Sequence, residues 1–280
     1  MRFLLSVLLG GLGLYAIGLA VLAAFQRHLI YPGAFFPRAM EPVRVAPAGT
    51  ATIPITTPDG ERLLAFWRPP EPGGGVVLSF HGNASIPESA AARFAEGPWA
   101  AGGWGVLALA YRGYPGSTGH PSEDGLIRDG LAAHDAAAER APGAPVLLHG
   151  HSLGAAVAVA VGARRPHLGL YLEAPFDSLR RLVGRRFPLV PPPLLRDTYR
   201  SDRRIGATTG PVLVVHGVQD PVIPVDLARR LAELAGPRAR LAEIPGDHMS
   251  ILGARDAEAA DLFQTARRPT ALAVPRRATP

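Results

Sequence analysis

The sequence predicts an α/β fold built on a mostly parallel sheet with helices on both faces. Two observations support this class: short apolar runs recur without polar alternation, and alanine-rich helical patterns separate them. A strand that is apolar on both faces is buried on both faces, as in a parallel sheet covered by helices. Hydrophobic residues make up 48% of the 280 positions, which is ample for one large core.

The predicted elements follow one another in a regular order. Two strands are predicted at 50–57 and 62–68, joined by a Pro-Asp-Gly turn. Further strands are predicted at 76–80, 106–111, 146–148, 168–172, 212–215 and 241–244. Helices are predicted at 88–95, 125–140, 153–164, 225–234 and 254–266. No repeat divides this body, so we expect one domain over 28–267 and a disordered tail at 268–280.

The N-terminal segment is long enough to cross a membrane. Phe3 to Phe25 hold 23 positions without a charge, and at ~1.5 Å per residue they span the roughly 30 Å of bilayer hydrocarbon. The hydrophobic part of a signal peptide is usually shorter, roughly 7–15 residues. We therefore predict a retained single-pass anchor over 1–27, with a cleaved signal as the alternative. Basic residues flank both ends almost equally, and we place the domain on the non-cytoplasmic side as a hypothesis.

Composition limits the chemistry and the partners. The chain has no cysteine, which excludes disulfides, thiolate nucleophiles and zinc–cysteine sites. The net charge is +6, all 29 basic residues are arginine, and no basic run exceeds two residues. This pattern is more typical of a biased surface than of a dedicated anion site. We expect contact with a membrane and no nucleic-acid partner.

A candidate nucleophile lies between a predicted strand and a predicted helix, in Gly150-His151-Ser152-Leu153-Gly154. A serine hydroxyl is a poor nucleophile until a base removes its proton. A sharp strand-to-helix turn exposes the hydroxyl, and its crowded backbone requires glycine on either side. The first amides of the helix would point at the place where an oxyanion develops. Ser152 is therefore the predicted nucleophile; the alternative is an incidental serine at a helix start.

An oxyanion site needs a second amide from the loop after an earlier strand. The motif His-Gly-Asn-Ala, which ends at Ala84, follows the strand predicted at 76–80. We assign the amides of Asn83 and Leu153 as the two donors. The alternative is a tight turn whose glycine only lets the backbone bend.

His248 is the predicted base because it follows the last strand in a glycine-containing loop. The order nucleophile, acid, base along the chain is that of the strand–turn–helix hydrolases. His149 and His151 flank the turn and are expected to face away from its apex. His81 and His216 each precede a glycine and are expected to hydrogen-bond the backbone.

The acid that orients the base is predicted to be Asp220, in the loop after the strand at 212–215. A carboxylate in this place holds the imidazole tautomer and stabilises the imidazolium. Asp177, after the preceding strand, remains the alternative. Asp247 adjoins His248 and cannot easily reach its neighbour's ring.

With these residues identified, the chain resembles the α/β-hydrolase superfamily. The nearest branch is that of membrane-anchored serine hydrolases with one N-terminal span, which includes eukaryotic enzymes that remove fatty acyl groups from protein cysteines. The matching stretches cover most of 29–252 and are LIYP, HGNAS, YRGYPGSTGHPSEDGL, GHSLGAAVA, EAPFDSL, VVHGVQDPVIP and IPGDHMSIL. The resemblance implies an eight-stranded, mainly parallel sheet with Ser152, Asp220 and His248 as nucleophile, acid and base. The family often has Gly-Asn where this chain has Ser85 and Ile86, a difference that bears on the substrate.

A small cap is predicted at about 176–209, before the strand that precedes the acid. Apolar residues at Leu179, Leu182, Val183 and Phe187 share one helical face, and the arginines between them fall largely elsewhere. We expect the cap to cover Ser152 with its apolar side. Contact of its arginines with an anionic membrane is a second hypothesis.

These features predict a serine hydrolase that cleaves a carboxylic ester or thioester through an acyl-serine, without a metal or an organic cofactor. The expected substrate is a small-molecule or lipid acyl ester, and an acylated protein is a further candidate. Two alternatives are a peptidase of the same fold and a catalytically silent, membrane-anchored binding module. Dehalogenases and epoxide hydrolases of this fold need a carboxylate at the turn, and position 152 is serine.

Overall fold

The computed structural model describes residues 1–35 and 45–267 and contains one sheet in the order β1-β2-β4-β3-β5-β6-β7-β8. The strands are β1 Ala51–Thr56, β2 Arg62–Arg68, β3 Val76–Phe80, β4 Gly105–Leu109, β5 Val146–His151, β6 Gly169–Glu173, β7 Val212–Gly217 and β8 Ala239–Ile244. β2 pairs antiparallel with β1 and β4, and the other pairs are parallel. The eight-stranded, mostly parallel sheet is confirmed.

Helices follow most strands, as the sequence predicts. Those described are α1 Arg2–Ile30, α2 Pro32–Phe35, α3 Pro87–Phe94, α4 Gly97–Ala101, α5 Glu123–Arg140, α6 Leu153–Gly162, α7 Leu179–Arg186, α8 Ser201–Arg204, α9 Val225–Ala235 and α10 Asp256–Arg267. The five predicted helices agree with α3, α5, α6, α9 and α10 to within about two residues. The short helices α2, α4 and α8 have too few turns to show a period in the sequence.

β5 and β7 extend beyond their predicted ends because their final polar residues are satisfied inside the core. β5 continues through His149, whose Nδ1 lies 2.9 Å from Ser79 Oγ and whose Nε2 lies 2.8 Å from Glu173 Oε2. β7 continues through His216, whose Nε2 donates to the Ile223 carbonyl at 2.9 Å. An apolar run therefore underestimates a strand whose polar end finds buried partners.

The centre of the sheet is the core of the domain. All residues of β3, β5, β6 and β7 are buried, and so are all ten residues of α6. Alanine, glycine and valine make up nearly all of α6, so its backbone packs closely on the strands. The strand-to-helix turn between β5 and α6 is consequently held on both sides by close packing.

A charged network lies beneath that turn. The Glu173 side chain is fully buried and accepts hydrogen bonds from Arg93 (2.7 Å) and from the Gly253 amide (2.9 Å). Burial on its own raises the pKa of a carboxyl group, but Arg93 and His149 outweigh it and hold the pKa of Glu173 below its ordinary value. The Glu173 carbonyl also accepts the Ser152 amide at 2.9 Å. The network therefore fixes the base of the turn.

The N-terminal helix is longer than the predicted anchor and is attached to the body. α1 continues three residues past the expected end at 27, and Arg27 forms an ion pair with Asp197 at 3.0 Å. Tyr31 also donates to Asp197 at 3.0 Å. The cap contains α7, a short 3₁₀ turn at Pro192–Leu194, and α8. The predicted tail at 268–280 and part of the segment between α2 and β1 lie outside the described residues.

We expect Glu173→Ala to destabilise the protein by about 3–5 kcal/mol, because it leaves the largely buried guanidinium of Arg93 without its main counter-charge. Urea denaturation in detergent measures the free energy of unfolding. Glu233→Ala, on the exposed side of α9, is the matched control and should change it by less than about 0.5 kcal/mol. Equal effects of the two substitutions would contradict the structural role given to Glu173.

Candidate active site

Ser152 occupies the strained turn that the sequence predicts. It lies between the end of β5 and the start of α6, with φ 55° and ψ −117°. A conformation of this kind costs a non-glycine residue on the order of 1–3 kcal/mol, and it persists only where its surroundings enforce it. Here α6 and β3 enforce it.

The glycines on either side of Ser152 are required sterically. A Cβ on Gly150 would overlap the backbone of Gly154, and a Cβ on Gly154 would overlap the carbonyl of Phe80 in β3. Both contacts are with backbone, which cannot move aside. The Gly-x-Ser-x-Gly spacing therefore reflects how closely α6 crosses the strands at this point.

The structure brings His248 and Asp220 together. His248 Nδ1 lies 2.7 Å from Asp220 Oδ2, and Asp220 Oδ1 accepts the amides of Val222 (2.7 Å) and Ile223 (2.9 Å). Burial on its own raises the pKa of a carboxyl group, but hydrogen bonds from His216 and His248 hold the pKa of Asp220 below its ordinary value. Asp220 is therefore an anion placed to orient the imidazole.

Asp177, the alternative acid, has other partners. Its carboxylate lies 2.8 Å from Arg181 Nε and 3.1 Å from Arg230 Nε, and it accepts the amide of Ser178 at 2.7 Å. Burial raises the pKa of Asp177. These contacts join the start of the cap to α9 and hold the Asp177 carboxylate between Arg181 and Arg230.

His151 holds the loop that carries His248, a function that the sequence analysis missed. His151 Nε2 donates to the His248 carbonyl at 3.1 Å, and the two rings lie 4.9 Å apart. Burial, with a further contribution from His248, lowers the pKa of His151 to about 4. His151 is consequently neutral at neutral pH and does not oppose a positive charge on His248. The contact joins residues 97 positions apart, so no local pattern reveals it.

Ser152 is buried and lines a pocket. Its hydroxyl forms no hydrogen bond with the part of the chain that the structure describes, whereas the imidazole and the carboxylate are already in contact. Hydrogen bonds between a nucleophile and its base are often long without substrate and tighten when substrate binds.

The two predicted oxyanion donors lie at the same pocket. Asn83 and Leu153 both line it together with Ser152. The Asn83 carbonyl accepts Tyr114 OH at 2.7 Å and the Gly33 amide at 3.3 Å, so the loop after β3 is fixed in place. A Cβ on Gly82 would lie 3.6 Å from Ser152 Cβ, which shows how closely this loop approaches Ser152. Leu153 contributes the first amide of α6.

The pocket has a volume of about 280 Å³ and is almost wholly apolar. Phe176, Leu179, Leu182 and Val183 form one side, at the start of the cap and along α7. The rest comes from the end of the cap, from α1 and from the residues after Asp220, namely Phe187, Val190, Leu194, Leu195, Leu22, Gln26, Leu29, Ile30, Val222 and Ile223. No charged side chain is among the lining residues within 1–35 and 45–267. The contribution of α1 was not predicted from the sequence.

Comparison with known proteins identifies the family. Residues 72–198 match the Hydrolase_4 family, serine aminopeptidase S33. An uncharacterized protein of Mycobacterium tuberculosis, Rv2307c, is 38% identical over 230 residues, which cover 79% of each chain. The chain belongs to the α/β-hydrolase superfamily.

Further relatives of this α/β-hydrolase include lipases and esterases. Lysophosphatidylserine lipase ABHD12 of Xenopus tropicalis is 31% identical over 185 residues, covering 59% of this chain and 48% of its own. The esterase Pf2001 of Pyrococcus furiosus has a TM-score of 0.64 at 18% identity, covering 80% of this chain and 97% of its own. The second comparison supports the fold alone. The hydrolase fold and the membrane-anchored branch expected from the sequence are both confirmed.

We expect Gly154→Ala to abolish turnover by this α/β-hydrolase, because its new methyl group overlaps the Phe80 carbonyl and displaces the turn that carries Ser152. Gly184→Ala is the matched control: Gly184 lies in α7 with open space around it. Replacing a helical glycine with alanine stabilises by roughly 0.5–1 kcal/mol. Ester turnover and thermal unfolding of both variants test this expectation. An active Gly154→Ala protein with an unchanged melting temperature would contradict the steric requirement.

Proposed function

We propose that this hydrolase is a serine enzyme that cleaves a carboxylic ester or thioester through an acyl-serine intermediate. The observation that carries the proposal is the 2.7 Å contact between His248 and the carboxylate of Asp220, in a protein whose serine in a strained turn lines an apolar pocket. Such a turn serves little structural purpose by itself, and its strain favours a catalytic role.

The reaction proceeds in two steps. His248 Nε2 takes the proton of Ser152 Oγ as that oxygen attacks the acyl carbonyl, and Asp220 stabilises the imidazolium. The amides of Asn83 and Leu153 hold the negative oxygen of the tetrahedral intermediate, at roughly 3 kcal/mol per donor. His248 returns the proton to the leaving alcohol or thiol. In the second step it activates water, which releases the acid and restores Ser152.

The pocket favours an apolar acyl group as the substrate. Its walls are aliphatic and aromatic side chains, so binding is expected to follow the apolar area that they cover. The lysophosphatidylserine lipase relative supports a lipid or other acyl ester, and an acylated protein is a further candidate. We place the enzyme at a membrane through α1, which is long and apolar enough to cross one, with the catalytic domain on the non-cytoplasmic side.

A peptidase is the second candidate, supported by the description of the matching family. An aminopeptidase must bind a substrate ammonium group, for which a carboxylate is the usual partner. The pocket-lining side chains that the structure describes carry no charge, which favours the acyl ester. A silent binding module has no need of the contact between His248 and Asp220.

We expect a fluorophosphonate probe to label the wild-type protein and not Ser152→Ala, because only an activated serine attacks the probe. Labelling is read from a fluorescent gel. Ser89→Ala, on the exposed side of α3, is the control and should label like the wild type. Labelling that persists in Ser152→Ala would reject Ser152 as the nucleophile, and an unlabelled wild type would favour the binding module.

The two candidate acids are separated by matched substitutions. We expect Asp220→Asn to lower kcat by about 10⁴-fold, because an amide cannot hold the imidazole in the required tautomer. Asp177→Asn should change kcat by less than tenfold and act mainly on stability. Steady-state kinetics with a p-nitrophenyl ester, together with melting temperatures, measures both effects. The reverse ranking of kcat would assign the acid to Asp177.

A further inference from the structure

The end of the membrane helix forms one wall of the acyl pocket. Leu22, Gln26, Leu29 and Ile30 all line it, together with Ser152. Their spacing of four, three and one places them on one face of α1. The anchor is therefore part of the site that holds the substrate.

Polar contacts fix this helix against the second half of the cap. Gln26 is only 5% exposed; its Nε2 donates to the Leu194 carbonyl at 3.1 Å, and its Oε1 accepts the Arg196 amide at 2.8 Å. The Arg27–Asp197 ion pair follows directly. Eleven residues before Gln26, Tyr15 OH donates to the Leu189 carbonyl. The contact between α1 and the cap therefore extends over about 16 Å of helix, at ~1.5 Å per residue.

The cap segment that lies along α1 is itself suited to hydrocarbon. We call Phe187–Leu195 the cap tip; it contains phenylalanine, leucine, valine and proline and no charge. Phe187 is 60% exposed and Leu189 is 77% exposed. The Leu189 carbonyl contacts Tyr15, which lies at the middle of the uncharged segment of α1. If α1 spans a bilayer, the cap tip enters the same hydrocarbon layer.

We propose that the acyl chain of a membrane lipid enters the pocket sideways from the hydrocarbon, between α1 and the cap tip, and that α1 determines the chain length accepted. This inference rests on the proposed function. The volume of about 280 Å³ lies at the lower limit of the roughly 300–1,000 Å³ of small-molecule sites. The substrate class is therefore a lipid ester that places one acyl chain in the pocket.

Bulky substitutions on α1 test whether this helix forms one wall of the pocket. Leu22→Trp fills the pocket and should lower kcat/KM for a long-chain p-nitrophenyl ester, presented in phosphatidylcholine vesicles, by more than tenfold. Hydrolysis of the acetate ester should change less than threefold. Leu22→Ala enlarges the pocket and should move the preferred chain length upward. Val21→Trp is the control at the same depth, since Val21 is exposed on another face, and should behave as the wild type.

The outcomes separate the two levels of the proposal. If Leu22→Trp matches Val21→Trp on long chains, or if Leu22→Ala leaves the preferred length unchanged, α1 does not form the acyl site, while the serine mechanism stands. If the wild type hydrolyses neither ester and does not label with fluorophosphonate, the proposed function fails instead. If Leu22→Trp loses hydrolysis of both the long-chain ester and the acetate ester, a shift in the preferred chain length of Leu22→Ala still supports α1 as a wall of the pocket.

Insertion of the cap tip is measured separately, with full-length protein in vesicles of brominated phosphatidylcholine. A Leu189→Trp residue should lose at least half of its added fluorescence when bromine lies midway along the acyl chains. Leu234→Trp, exposed on α9, should lose none. Equal quenching of the two variants would overturn lateral entry.

Discussion

The close crossing of α6 over β3 is the constraint on which the rest of the structure depends. At this crossing the backbone of Gly154 lies against the carbonyl of Phe80, with no room for a side chain. The approach forces the chain to turn sharply at Ser152 and exposes the first amide of α6. It also brings the loop with Asn83 beside Ser152. Steric exclusion between backbones thus determines where Ser152 lies relative to this loop and to the first amide of α6.

Charge is arranged around this turn by burial and pairing. Two buried carboxylates, Glu173 and Asp220, keep their negative charge because hydrogen-bond donors surround them. His151, which pairs with Glu173 across the sheet and contacts His248, stays neutral because it is desolvated. A positive charge that develops on His248 is therefore stabilised by the carboxylate of Asp220 and is not opposed by a positive charge on His151. The attraction between the imidazolium and the carboxylate is stronger in a low local dielectric than in water.

Much of this organisation could be predicted from the sequence, because it depends on local patterns. Apolar runs located the eight strands, and the glycine spacing located the turn at Ser152. Asp220 and His248 were placed by chain order, and the structure puts their side chains in contact. These signals are local because strand burial and turn geometry depend on residues that are close in sequence.

The features that the sequence did not reveal depend on distant contacts. The polar end of β5 is buried because His149 finds partners in β3 and β6, 70 and 24 residues away. His151 contacts a carbonyl 97 residues away, and Gln26 contacts a loop about 170 residues away. The apolar pattern of α1 predicted a helix that ends three residues too early, and it carried no information about which face meets the cap. The roles of these residues depend on hydrogen bonds between positions far apart in the sequence, which composition and local pattern do not reveal.

The docking of Gln26 has a consequence for how the protein matures. Proteolytic removal of the leader would uncover the Leu194 carbonyl and the Arg196 amide, which the Gln26 side chain now satisfies. The aliphatic surface around Ser152 that α1 now covers would become exposed to water at the same time. A chain that loses this segment would therefore have a more open and more solvated pocket than the intact chain.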